Sequence, residues 1–191
     1  MKSLKGTKTE KNLLASFAGE SQARNRYTYF AGVAKKAGYE QIAAIFADTA
    51  ENEKEHAKRF FKFLEGGDLE ITASYPAGII GDTLQNLEAS AGGEHHEWTK
   101  LYKEAAETAK HEGFSEVAAA FENIAKVELE HEKRYRKLIE NLKGQKVFKK
   151  DSSVRWRCRN CGFVHEGQKS VEVCPACLHP QAFFEIAPEN Y

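Results

Sequence analysis

Glu53-Lys54-Glu55-His56 returns seventy-five residues later as Glu128-Leu129-Glu130-His131. An isolated glutamate precedes each copy, Glu20 thirty-three residues before the first and Glu94 thirty-four before the second. Residues three apart on a helix share a face, so each Glu-x-x-His offers one oxygen and one nitrogen to a single point in space. A glutamate from each of two helices plus Glu-x-x-His from each of two others is a donor set with which four-helix bundles hold a pair of iron or manganese ions. The pattern therefore predicts four helices, in two halves related by an approximate two-fold axis.

The surrounding sequence supplies those helices. Thr7-Lys8-Thr9-Glu10 has capping-box spacing, and Leu13, Leu14, Phe17 and Ala18 follow at helical intervals, predicting a helix over about 9–36. Gly38 ends it, and Ile42, Phe46, Ala50, Ala57 and Phe60 form a second apolar stripe reaching Gly66-Gly67. The join is short, so these two helices lie antiparallel. Gly67 to Gly81, with Tyr75-Pro76-Ala77-Gly78, has no helical repeat and reads as a crossover along the bundle. Asp82 caps a third helix that is expected to carry Leu84, Leu87, Ala91, Trp98, Leu101, Tyr102 and Ala105 inward and finishes near Gly113, and a fourth runs from about Ser115 to Leu142. Two hairpins joined by one crossover make a ferritin-like four-helix bundle, assigned to residues 1–146. Helical spacing stops near Val147, and residues 147–191 form an annex too small to bury much core, so a metal must stabilise it.

A chain of 191 residues with 41% hydrophobic and 29% charged residues is ordinary for a globular protein. Lysine and arginine number 28, as do aspartate and glutamate, which gives no reason to expect nucleic acid or an anionic membrane as partner. The amino terminus lacks the apolar core of a secretion signal and no long apolar run occurs, so a cytoplasmic protein is expected. All four cysteines fall in two Cys-x-x-Cys pairs near the end, which in a reducing compartment points to metal ligation over disulfides.

A single Glu-x-x-His is ordinarily a solvated helix face; two copies in register with two further glutamates are not. Buried carboxylates repel one another and each loses several kcal/mol of hydration, a penalty that a pair of cations removes. Five carboxylates (Glu20, Glu53, Glu94, Glu97 and Glu128) with neutral His56 and His131 around two ferrous ions leave one net negative charge, and two ferric ions bridged by oxide leave the same. Such a site cycles two electrons comfortably when protons accompany them, as in reducing a peroxide to water. Glu97 follows Glu94 by three on the same face, but its repeat counterpart is alanine, so it suits a carboxylate that only one metal uses. Tyr27 and Tyr102 keep the repeat spacing and are expected to hold ligand carboxylates through their hydroxyls. His95, His96, Glu51, Glu55 and Glu130 adjoin these residues but point to other faces. Gly92-Gly93 inside a helix implies close backbone approach or a bend.

Cys158-Arg159-Asn160-Cys161, twelve residues, then Cys174-Pro175-Ala176-Cys177 is a four-thiolate signal that by spacing alone allows structural zinc or redox-active iron. Gly162 and Pro175 fit tight turns whose amides point at sulfur, and Trp156, Phe163, Phe183 and Phe184 are expected to cover the metal.

Taken together, Gly19-Glu20-Ser21-Gln22-Ala23-Arg24, the two Glu-x-x-His motifs, Gly93-Glu94-His95-His96-Glu97 and the cysteine set resemble the rubrerythrin family along the whole chain. The resemblance implies a ferritin-like di-iron domain with a rubredoxin-like tail, acting as a non-haem peroxidase on hydrogen peroxide. It implies two irons in the bundle and one held by Cys158, Cys161, Cys174 and Cys177, where electrons enter. It further implies a homodimer, a reductase or rubredoxin-like carrier as electron donor with reduced pyridine nucleotide behind it, and exchange of Glu97 for His56 at one iron as the oxidation state changes. A ferroxidase or iron store, and a zinc ribbon on a scaffold bundle, are the rival readings. The electron-transfer tail argues against the first, and the buried ligand repeat against the second.

Overall fold

The computed structural model describes residues 2–190. α1 spans Lys8–Lys36 and α2 Glu40–Phe61; α3 spans Thr83–His96, followed by a π turn over Glu97–Leu101 and α4 over Tyr102–His111; α5 spans Ser115–Lys143. Thr7 caps α1 by accepting from the Glu10 amide, while the Glu10 carboxylate takes the Gly6 amide at 2.8 Å. Gly38, at φ +81°, turns the chain from α1 into α2, and Gly113, at φ +83°, turns it from α4 into α5. Asp82 and Gln85 form a complete capping box at the start of α3. The stretch from 62 to 82 holds no helix or strand, and Tyr75 Oη donates to Ala15 O at 2.8 Å, fastening this crossover to α1.

Three expectations need correction. The helix expected from Asp82 to Gly113 is continuous in path but not in winding, because the π turn interrupts it. The cause is one surplus residue: Glu20 and Tyr27 are seven apart, whereas Glu94 and Tyr102 are eight apart. A Cβ placed on Gly92 or Gly93 would meet nothing within 4 Å, so close backbone approach does not explain those glycines. The second helix also ends at Phe61, before Gly66, although Phe63 and Leu64 still pack against the core.

Two aromatic clusters fill the bundle. Tyr27, Phe46 and Tyr135 pack with ring centroids 5.2–6.1 Å apart in one, and Tyr102, Phe121 and Phe60 at 4.8–5.8 Å in the other. Each residue of the first maps onto one of the second by the repeat offset of seventy-five, so the two-fold relation extends to the core. These residues are nearly fully buried, so both clusters are dry.

After α5 the chain forms a three-stranded antiparallel sheet in the order β2-β1-β3, with β1 at Lys149–Cys158, β2 at Val164–Lys169 and β3 at Phe184–Ile186. Trp156, Phe184, Cys158 and Cys174 form its small core, with Phe163 and Phe183 packed against them. Phe148 stacks on Tyr39 of the bundle at 6.1 Å between centroids.

Candidate metal centres

In the bundle, α1 presents Glu20, α2 Glu53 and His56, α3 Glu94, and α5 Glu128 and His131. All six converge in two groups whose donor atoms lie within 4.8 Å of one another: Glu20, Glu53, His56 and Glu128, then Glu53, Glu94, Glu128 and His131. Glu53 and Glu128 belong to both groups, the arrangement of carboxylates that bridge two ions. His56 Nδ1 lies 2.9 Å from Glu53 and 3.0 Å from Glu128; His131 Nδ1 lies 2.8 Å from Glu128 and 3.2 Å from Glu53. Donors about 2.1 Å from a shared cation are about 3 Å apart. Glu20 Oε2, Glu53 Oε1, Glu94 Oε2, both Glu128 oxygens and His131 Nδ1 are buried without a hydrogen bond. Orphaned acceptors at this density are intolerable unless a cation takes them, so the donor set fits a metal pair.

The remaining oxygens are held by protein. Tyr27 Oη donates to Glu94 Oε1 at 2.6 Å and Tyr102 Oη to Glu20 Oε1 at 2.5 Å. Each tyrosine thus reaches across to the other half and not along its own helix. Asn52 Oδ1 lies 3.2 Å from His131 Nε2, which orients Nδ1 inward. Glu97 stands outside both groups, on the π turn, beside a cavity of about 500 Å³ also lined by Gly19, Gln22, Arg26, Tyr75 and Tyr102. Asn52 went unread in the sequence because an asparagine on a helix carries no signal of its partner.

In the tail, Cys158 Sγ lies 3.8 Å from Cys177 Sγ and Cys161 Sγ 3.6 Å from Cys174 Sγ. Sulfurs about 2.3 Å from a tetrahedral metal are about 3.75 Å apart, whereas a disulfide is near 2.0 Å. The residue after each second cysteine takes a left-handed backbone, Gly162 at φ +82° and Leu178 at φ +60°, and the next amide faces sulfur. The His179 amide, helped by Cys161 and Asn160, draws the Cys177 thiol down to about 6, whereas at Cys161 the Phe163 amide is outweighed by Cys177 and burial, which push that thiol up to about 12. Without metal one proton is thus shared unequally among the sulfurs.

A sequence profile described as Rubrerythrin matches residues 11–152. The chain belongs to the rubrerythrin family. A second profile, the rubrerythrin rubredoxin-like domain, matches residues 156–185. A rubrerythrin of Porphyromonas gingivalis is 63% identical over 190 residues, covering 100% of this chain and 95% of that protein. One of Nitratidesulfovibrio vulgaris is 59% identical over 191 residues, with both chains fully covered. The solved structure of fully reduced, all-ferrous nigerythrin superposes with a TM-score of 0.64 at 30% identity, covering 97% of this chain and 92% of that one. This rubrerythrin-family chain is therefore a ferritin-like oxidoreductase with a di-iron centre in its bundle and a four-cysteine iron knuckle in its tail. Among the described residues, no helix is long and apolar enough to cross a membrane.

Without metal, burial and mutual repulsion favour protons on several of these groups. Burial, reinforced by Glu53, Glu128 and Glu97, lifts the Glu20 carboxyl well above its usual range; burial likewise lifts Glu94 to about 8. Glu97 keeps some exposure to the cavity, yet the surrounding protein and the charges of Glu94, Glu128 and Glu53 raise it strongly, with Arg26 opposing. Burial opposes charge on the imidazoles, but Glu128 and Glu53 outweigh it and raise His56 to about 9 and His131 to about 12. Glu53 is itself pushed up by burial and pulled down further by both histidines, to about 2. Raised carboxyls stabilise the fold below about pH 4.5 and lose this as pH climbs, Glu94 through about 8. The Glu53 contribution is present above about pH 4.5 and lost toward 2, and the His56 contribution is lost between 6.5 and about 9. Metal-free protein is thus expected to be most stable near pH 4.5 and to lose stability from there upward, more steeply once His56 joins above 6.5, with its melting temperature falling by about 10 °C or more by pH 9. Iron-loaded protein, whose ligands must be deprotonated, is expected to gain stability over the same rise. Calorimetry of both forms across pH checks this, and parallel profiles would contradict it.

Proposed function

We propose that the chain is a non-haem di-iron peroxidase that reduces hydrogen peroxide to two waters, with electrons passing through the tail iron. One observation carries the reading: a two-ion carboxylate and histidine site occurs in the same chain as a four-thiolate knuckle. When bound, the iron pair supplies the two electrons that split the O–O bond, and the tail iron restores them.

The protein's own groups do the rest. Glu53 and Glu128 would hold both irons, with Glu20 and His56 completing one set and Glu94 and His131 the other. Tyr102 and Tyr27 fix Glu20 and Glu94 in orientation, so the donors keep their places when charge changes. The dry aromatic clusters on either side exclude water except along the cavity beside Glu97. Glu97, as the carboxylate without a repeat partner, would be the group to exchange with His56 when the irons are bound. Its place on the cavity wall puts a carboxyl where the product waters require a proton.

The chain acts in the cytoplasm as a homodimer, the tail of one copy serving the iron pair of the other. Its electrons come from NADH through a reductase or rubredoxin-like carrier, since no Gly-rich dinucleotide fingerprint occurs in the sequence. The test is competition: reduced protein is offered hydrogen peroxide or oxygen at equal concentration, and iron per chain is followed. Oxidation at least tenfold faster by peroxide, with iron constant, is expected. Preference for oxygen, or many irons accumulating per chain, would establish a ferroxidase instead.

A further inference from the structure

The two halves of the bundle differ near the metal donors in one connected set of residues. The surplus residue between Glu94 and Tyr102 is taken up by the π turn Glu97–Leu101. On α5, one turn beyond Glu128, the Glu132 carboxylate is buried at 6% exposure. Its Oε2 accepts from Trp98 Nε1 at 2.5 Å and lies 3.1 Å from His95 Nδ1, and its Oε1 accepts from Arg136 Nε at 2.5 Å. Trp98 is inside the π turn and His95 precedes it, so one carboxylate grips the chain on both sides of Glu97. By the repeat offset, Glu132 corresponds to Ala57, which is buried and carries no carboxylate. The half without a π turn therefore has no such grip. A buried carboxylate persists only where donors saturate it, and Glu132 spends its two oxygens on this turn and on the arginine that neutralises it.

We propose that Glu132, Trp98 and His95 form a latch that fixes the register of the π turn and so sets how far Glu97 stands from the metal pair. Glu132 and Trp98 are then positioning residues, and the proposal rests on the reading of Glu97 as the exchanging carboxylate. With the latch closed, as here, His56 is among the donors and Glu97 is not. A helix with a surplus residue can rewind locally to take it up elsewhere, and a clamp on both sides of Glu97 blocks that movement. Opening the latch frees Glu97 to approach the metals, where an added negative donor favours the more highly charged ferric state.

The experiment compares the iron-loaded full chain with Trp98→Phe, which removes one donor at nearly constant shape, and Glu132→Gln, which removes the charge and keeps an acceptor. Each is expected to shift the oxidised-to-reduced ratio of the iron pair at fixed potential about tenfold toward oxidised, about 30 mV for a two-electron couple. The tail iron serves as an internal reference and stays put. Crystals of the metal-free variants are expected to show the Glu97 carboxylate displaced toward Glu94 and Glu128. Glu97→Ala separates the two ideas. If it shifts the ratio while Trp98→Phe and Glu132→Gln leave it within twofold, the latch is overturned and the exchange survives. If Glu97→Ala itself changes nothing, the exchange reading falls and takes the latch with it. A full Trp98→Phe effect in the Glu97→Ala background would show that Trp98 does not act through Glu97, which also overturns the latch.

Discussion

Glu128→Ala is expected to remove both bundle irons while leaving the tail iron in place. Glu128 is one of two carboxylates common to both donor groups, is fully buried, and faces both ligand imidazoles, at 3.0 Å from His56 and 2.8 Å from His131. If it bridges, its loss would take a donor from each ion at once, and the ions could no longer offset each other's repulsion through a shared anion. Replacing even an outer partner of a metal ligand costs about 10–100-fold in affinity, so loss of a bridging donor is expected to exceed 100-fold. Peroxide turnover should fall by about 10³ or more, equivalent to about 4 kcal/mol. Metal analysis reads the outcome as iron per chain, and the ferric-thiolate colour reports that the rest of the chain has folded. Glu128→Gln separates charge from shape: it fills the same space and should lose iron nearly as completely. Retention of paired iron in either variant would show that Glu128 does not bridge.

Cys174→Ser is expected to give the opposite pattern, a working iron pair without supply. Cys174 Sγ is buried in the tail core, 3.6 Å from Cys161 Sγ. A serine oxygen is too hard and too protonated to replace a thiolate, and a tail this small depends on its metal for stability. In protein reduced chemically beforehand, the first reaction with peroxide is expected to stay within about twofold of the parent. Sustained turnover from a protein electron donor is expected to drop at least about 100-fold. Stopped-flow single turnover against steady-state peroxide consumption measures the split. A variant that turned over as fast as the parent would remove the tail from the electron path.

Much of this was legible in the sequence because the donors recur at fixed offsets in four separate segments, a coincidence that ordinary surface glutamates do not produce. The cysteine knuckles were legible for the same reason, since tetrahedral thiolate ligation tolerates few spacings. The π turn was also written there, as seven residues from Glu20 to Tyr27 against eight from Glu94 to Tyr102, but apolar periodicity is too coarse to register one extra residue. The crossing of Tyr27 to Glu94 and of Tyr102 to Glu20 could not be read from spacing along one helix, because it depends on how the two hairpins face each other. Glu132 was invisible on α5 among Glu128, Glu130 and Glu140, since its role comes from Trp98 and His95, 34 and 37 residues earlier on another helix.

The most direct measurement starts from anaerobic, fully reduced, iron-loaded protein and adds one equivalent of hydrogen peroxide while both centres are followed by absorbance and Mössbauer spectroscopy. The expected result is removal of two electrons per peroxide, the bundle pair oxidising first and the tail iron then reddening as it gives its electron to the pair. Reduced protein that ignores peroxide, or a tail iron that oxidises while the pair stays ferrous, would contradict the proposed peroxidase.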